Sequence, residues 1–209
     1  LNDVSPQTGA YVAPTSVSSL ATDGNRLLMA GSYESGKTSR IYYTPVLGTT
    51  DEGDDERVPN TVDQENWIDL NEKDGGGSTA LAGPVNGLIY AFKFRQLWKL
   101  IPTGDVTAPY IPRRISATVG TINQNCVATG DDETGQPCVY FLDPTTPGPW
   151  RIGPRGLQYL GRDNEDIWLT LNLTSAMGAY HVVAYPQKHQ VWFTFSTGTD
   201  TTAKTRLVF

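Results

Sequence analysis

Long apolar runs are missing from this chain. No stretch approaches the ~18 residues of a membrane span, and no charged start with an apolar follow-on marks a signal peptide. Basic clusters are equally scarce. None is longer than Arg113-Arg114, and 16 Lys and Arg stand against 22 Asp and Glu, a formal net charge of −6. A phosphate backbone would on average be repelled, which argues against sequence-independent nucleic-acid binding. Two cysteines in 209 residues make no disulfide framework and, without a second pair, complete no zinc site. Cys126 and Cys138 are expected on adjacent strands of one hairpin as small buried thiols, a cross-strand disulfide staying open in an oxidising compartment. The two histidines, His181 and His189, share a single hairpin, with no Ser in an elbow pattern and no Cys-His spacing suited to a nucleophile. No catalytic, cofactor-binding or metal-ligating residue is assigned, and no cofactor.

Turn and strand formers are plentiful: 21 Gly, 14 Pro and 10% aromatic residues. An all-β chain is the expectation. The clearest segment is residues 85–101, where Leu88, Tyr90, Phe92 and Phe94 occupy alternate positions. That is the period of a strand. Helical spacing from Leu88 would meet Phe92 and then Arg95, Gln96 and Lys99, so a helix does not fit. Val85-Asn86-Gly87 is a turn, and Arg95-Gln96 is a tight reversal before Leu97, Trp98 and Leu100. Similar turn-then-strand units recur, and the equivalent positions Leu27, Leu88, Val139 and Val191 lie 61, 51 and 52 residues apart. A period near ~50 residues made of strand and turn is that of a propeller blade. We therefore expect a β-propeller-like array of antiparallel four-stranded blades, with a β-sandwich as the alternative.

In chain order, residues 1–15 read as an extended lead-in, followed by approximate blades at 16–77, 78–115, 116–160 and 161–209. The chain is expected to be part of a longer polypeptide. Residues 72–78 read as a flexible joint and 102–112 as a Pro-rich connection; residues 166–173 are the one place for a short helix. A long loop at 46–66 carries Asp51, Glu52, Asp54, Asp55 and Glu56. A solvated acidic loop is the simplest reading, calcium or a basic partner the alternative, although the spacing is not that of an EF-hand.

Gly31-Ser32-Tyr33-Glu34-Ser35-Gly36-Lys37-Thr38 is a literal match to the nucleotide-binding P-loop, and Val139-Tyr140-Phe141-Leu142 then Asp143 imitates a magnesium-holding strand end. A P-loop needs a helix starting at its Lys, whose first N–H groups hold the phosphates. Here Ile41-Tyr42-Tyr43-Thr44-Pro45 follows, β-branched and aromatic, so the segment reads as a polar hairpin loop. Asn172-Leu173-Thr174 is a glycosylation sequon by pattern alone. Asp131-Asp132-Glu133 and Asp163, Glu165 and Asp166 are the carboxylates that a propeller glycosidase could use as acid and base.

Gly24-Asn25-Arg26-Leu27-Leu28-Met29-Ala30-Gly31 with Ile41-Tyr42-Tyr43-Thr44 resembles the strand pair opening a blade in the propeller part of tailed-bacteriophage tail proteins, the nozzle or tubular tail proteins. Gly87-Leu88-Ile89-Tyr90-Ala91-Phe92-Lys93 with Leu97-Trp98-Lys99-Leu100 is similar to their second blade. Val119-Gly120-Thr121, Val139-Tyr140-Phe141-Leu142-Asp143 and Gly148-Pro149 are similar to their third. The resemblance covers residues 18–209. It implies a virion structural protein, assembled in the host bacterial cytoplasm as a homo-oligomeric ring with other tail or head-tail proteins, around a channel that passes DNA without binding it specifically. Residues 46–66 and 102–112 are the expected subunit contacts. The alternative is a propeller domain that binds carbohydrate or hydrolyses glycosides.

Overall fold

The hairpins expected from alternating apolar residues are present in the computed structural model, which describes residues 16–33, 35–44, 46, 66–71, 73–105, 108–174 and 177–209. The acidic residues 51–56, the lead-in 1–15 and most of the loop 46–66 lie outside them. Strands β1 (Ser19–Thr22), β2 (Leu27–Ala30), β3 (Arg40–Tyr43) and β4 (Trp67–Asp69) form a first antiparallel sheet in chain order. The second holds β5 (Ser78–Val85), β6 (Leu88–Lys93), β7 (Leu97–Pro102) and β8 (Tyr110–Ser116). The third holds β9 (Val127–Asp131), β10 (Pro137–Asp143), β11 (Gly148–Gly153) and β12 (Gly156–Tyr159). β13 (His181–Tyr185), β14 (Gln190–Phe195) and β15 (Thr205–Val208) make the fourth, and α1 (Glu165–Trp168) leads into it. The fold is all-β, a propeller-like array of up-and-down sheets.

The sheets stack through both faces, which explains why their strands read as nearly continuous apolar runs. Alternate residues of the second sheet point in opposite directions. Leu81, Ile89, Ala91 and Leu100 join Leu28, Ala30, Ile41 and Tyr43 of the first sheet in one core. Ala80, Tyr90, Phe92 and Leu97 join Val139, Phe141 and Ile152 of the third in another, with Phe92 and Phe141 ring centroids 4.9 Å apart. Cys138, Tyr140 and Leu142 then meet Val182, Val191, Phe193 and Phe195 of the fourth. Trp168 of α1 closes that core, its ring 4.5 Å from that of Phe195. Burying one such side chain is worth ~1.5–3 kcal/mol.

The first strands of successive sheets lie side by side, β1 on β5, β5 on β9 and β9 on β13. Their edges are satisfied by side chains. The Gln124 amide accepts from Leu81 N at 2.9 Å and donates to Leu81 O at 2.9 Å, and Ser19 Oγ donates to Thr79 O. The linkers are pinned too. The buried Lys93 ammonium donates to Asn71 O and Asp74 O, both at 2.7 Å, and thereby shapes the joint expected to be flexible. Buried charge held by carbonyls fixes a loop in place of a solvated tether.

Four details differ from the sequence reading. Ser78, the last residue of the expected joint, begins β5, a strand over 78–85 that the sequence reading did not assign and whose pairing with β6 is irregular between Ala82 and Val85, around Gly83-Pro84. The expected connection 102–112 ends inside β8, which begins at Tyr110. The fourth blade has three strands among the described residues, not four. The short helix falls at Glu165–Trp168, one residue ahead of the expected segment's start.

Candidate functional site

In an up-and-down sheet the entry to the first strand and the turn between the second and third share one end. The turn between the first and second strands lies at the other. At the entry end of the first three sheets a pocket of about 540 Å³ opens. Gly31, Ser32 and Tyr33 after β2 form one wall, Ser78 and Thr79 at the start of β5 the floor, and Asn123, Gln124 and Asn125 ahead of β9 the opposite wall. The close approach of these segments demands a residue without Cβ at Gly31, where φ is 77° and an added Cβ would lie 3.2 Å from Ser78 O. Ser78 N donates to Thr38 O at 2.8 Å, tying the β2–β3 loop to β5. Two polar atoms there are buried and unpaired: Ser78 Oγ and Thr79 Oγ1 have no hydrogen-bond partner.

The P-loop-like residues therefore line a pocket but hold no phosphate cradle. β3 follows them and pairs antiparallel with β2, so no helix starts at Lys37. Lys37 is not among the lining residues. Asp143, the imitation magnesium ligand, is fully buried and serves as a clasp. Its carboxylate accepts from Gly120 N at 2.9 Å and Thr146 N at 2.6 Å, joining the linker into the third sheet to the β10–β11 turn. Burial pushes its pKa up to about 6, against the pull of those N–H bonds.

The candidate acid and base residues are not brought together. Asp131, Asp132 and Glu133 sit at the β9–β10 turn, at the end opposite the pocket, whereas Asp163, Glu165 and Asp166 lie between β12 and β13 at the entry end. β9 alone spans 5 residues, a rise of ~16 Å, beyond the ~5–9.5 Å separation of a glycosidase pair. Asp132 and Glu133 are also committed elsewhere. Asp132 Oδ1 accepts from Thr134 Oγ1, Gln136 N and Thr134 N, bonds that hold its pKa down to about 2. Glu133 is held to about 2 by its hydrogen bonds from Arg151, with Arg155 donating at 2.7 Å. Both stay ionised at neutral pH, which suits an ion-paired turn and not a proton donor.

Cys126 and Cys138 are free and buried, and burial pushes the Cys126 thiol up to about 12. His181 and His189 are exposed on the same hairpin. The Asn172 amide of the sequon is buried: Nδ2 donates to Asp200 O at 2.8 Å and Oδ1 accepts from Thr174. Among the described residues no cluster of three or more His, Cys, Asp or Glu could hold a metal, and no helix is long and apolar enough to cross a membrane.

A second candidate surface is the outward face of the fourth sheet. Val183, Trp192 and Val208 are in register across β13, β14 and β15, with Val183 49% and Val208 48% exposed. Tyr185 and Arg206 flank Trp192, the guanidinium 4.9 Å over its ring. On the first sheet the row in register is Leu20, Met29, Tyr42 and Trp67, of which Leu20 is 57% exposed while Met29 and Tyr42 are buried. Neither row nor the hydroxyl pair of the pocket was singled out from sequence. The rows resemble the buried faces of the inner sheets, and Ser78-Thr79 follows a glycine run that reads as linker.

No protein-family model and no curated protein matches the chain. Among solved structures it is similar to a structural genomics protein of unknown function from Bacteroides thetaiotaomicron, at 12% identity and a TM-score of 0.44. The alignment covers 90% of this chain and 40% of that one, so this chain spans well under half of that protein's length.

Proposed function

We propose that the chain is a structural component of a bacteriophage tail, not an enzyme, and that copies join side by side into a ring around the DNA channel. The observation that carries the reading is the outward face of the fourth sheet. Every interior sheet of the array buries two apolar faces, while the Val183, Trp192 and Val208 row is left open. Leu20, 57% exposed on the first sheet at the other end of the array, belongs to a different surface, so a contact between the two ends is head-to-tail. Heterologous contacts of this kind close into rings when the rotation allows. The hairpin resemblance supplies the tail context. A net charge of −6 suits a wall past which DNA slides without being gripped. Assembly would take place in the host cytoplasm, with other tail or head-tail proteins as neighbours.

The hydrolytic alternative is disfavoured by the carboxylates standing at opposite ends. Light scattering on the purified chain tests the assembly. A single multimeric mass is expected, falling to the monomer in a Val183→Glu, Val208→Glu double variant whose melting temperature is unchanged. A wild-type chain that stays monomeric at tens of micromolar contradicts the proposal.

A further inference from the structure

We propose that the outer margin of the second sheet docks a short acidic segment of a partner protein, on a patch where Lys99 and Arg113 stand beside Ile101 and Ile111. The inference does not depend on the tail assignment. Its basis is a pair of cations that the fold sets against each other. Lys99 of β7 and Arg113 of β8 are direct cross-strand partners. Like charges so placed repel and cost stability. Among the described residues neither meets a carboxylate, whereas the next residue, Arg114, is paired with Asp74 at 2.9 Å. Ile101 and Ile111 are partners two residues further along, so all four side chains share one face. That face is open to solvent at its margin: Arg113 is exposed, Ile111 is 45% exposed, and Lys99 and Ile101 are half-buried.

The surroundings select the class of partner. Residues 78–120 hold five basic residues, Lys93, Arg95, Lys99, Arg113 and Arg114, against the single acid Asp105, in a chain of net charge −6. Lys93 is buried and committed to linker carbonyls, but the other four reach the surface. The outer strands of the neighbouring third sheet, β11 and β12, contribute Arg151 and no Asp or Glu. A carboxylate is therefore the group whose arrival relieves the repulsion. The two isoleucines alongside offer apolar area that a small inorganic anion could not use, whereas a peptide side chain could. The patch is also short. β8 spans 7 residues, a rise of ~20 Å, and a nucleic-acid strand running past it would meet the acidic remainder of the surface. A short carboxylate-bearing segment fits within those limits. Pro112, at the centre of β8, has no N–H to offer an added strand, which leaves recognition to the side chains.

Fluorescence anisotropy with a labelled peptide, Glu-Leu-Glu-Glu-Leu-Glu, tests the proposal. Saturable binding is expected at low ionic strength and should be lost at ~1 M salt, where the screening length falls to ~3 Å. Lys99→Gln combined with Arg113→Gln should weaken it by ~10-fold, the worth of two exposed ion pairs. Ile111→Ser should weaken it with the charge unchanged, and Lys204→Gln, on the fourth sheet's approach, should leave it as it was. The double variant should melt no lower than wild type, because two opposed like charges are removed. If it melts lower, Arg113→Gln alone decides, since that side chain is exposed. Absence of saturable binding overturns the proposal. So does binding that the double substitution leaves intact, or a single-stranded DNA oligonucleotide that binds more tightly than the peptide. A chain that takes the peptide only after Asp51, Glu52, Asp54, Asp55 and Glu56 are replaced by Asn or Gln has its own acidic run as occupant, and that too overturns a partner's role. None of these outcomes bears on whether the chain assembles.

Discussion

The Asp143 clasp makes a pH prediction that can be worked through. An ordinary aspartate titrates near 3.8, and burial raises Asp143 to about 6 in the fold. Between those values the folded chain binds more protons than the unfolded one, so stability falls as pH rises from about 4 to about 6. The gap corresponds to at most ~3 kcal/mol. Asp143→Asn removes the titration but keeps one accepting oxygen. One of the two N–H groups, Gly120 or Thr146, then faces an amide NH2 and loses its acceptor, a cost of ~1–3 kcal/mol. The variant should be less stable than wild type at pH 4 and about equal to it at pH 7. Urea unfolding of both chains in steps across that range gives the difference curve, in which other titrating groups cancel. A flat difference, or a wild-type advantage that grows with pH, refutes the reasoning.

Three further outcomes follow from the packing. Gly120→Ala places a Cβ 2.7 Å from Phe94 C and 2.8 Å from Arg95 N, backbone atoms that cannot swing aside, and should cost ~1–3 kcal/mol. Gly135→Ala meets nothing within 4 Å and pays only for its φ of 75°, ~1 kcal/mol, so chemical denaturation should rank the two. Ellman's reagent should leave both Cys126 and Cys138 unmodified in the native chain and titrate two thiols after unfolding. Below pH ~4.5 the trend should reverse, stability falling as the pH is lowered because Asp132 and Glu133, depressed to about 2 in the fold, take up protons sooner in the unfolded chain; Glu133→Gln should flatten that limb.

The outer strands were legible because they carry large residues on both faces. Leu88 to Phe92 and Val139 to Leu142 are each sandwiched between two cores, Val191 to Phe195 covers one core with Trp192 on its open face, and all three runs stand out in sequence. Of the inner strands, β1, β9 and β13 coincide with strand-like segments of the sequence, whereas β5 was harder to read for a physical reason. Where β5 and β9 run close to their neighbours, several positions admit only small side chains. Ala80 and Ala82 of β5 are buried, and a Cβ on Gly130 of β9 would lie 3.1 Å from the Ala184 methyl. Short residues followed by Gly83-Pro84 look like loop to any propensity argument. The P-loop match failed in an instructive way. Its Gly31 answers a need for close backbone approach, but between two antiparallel strands and not ahead of a helix. The pocket hydroxyls left no sequence trace, because Ser and Thr in a linker are ordinary; their significance lies in finding no partner after folding.

The most direct measurement of the central claim is electron microscopy of the purified chain, with particles classified by end-on view. Rings of one rotational symmetry, with the Val183, Trp192 and Val208 face at each subunit junction, are the result expected. Isolated single arrays, or rings that form unchanged when Val183 and Val208 are both replaced by Glu, would contradict assembly through that face.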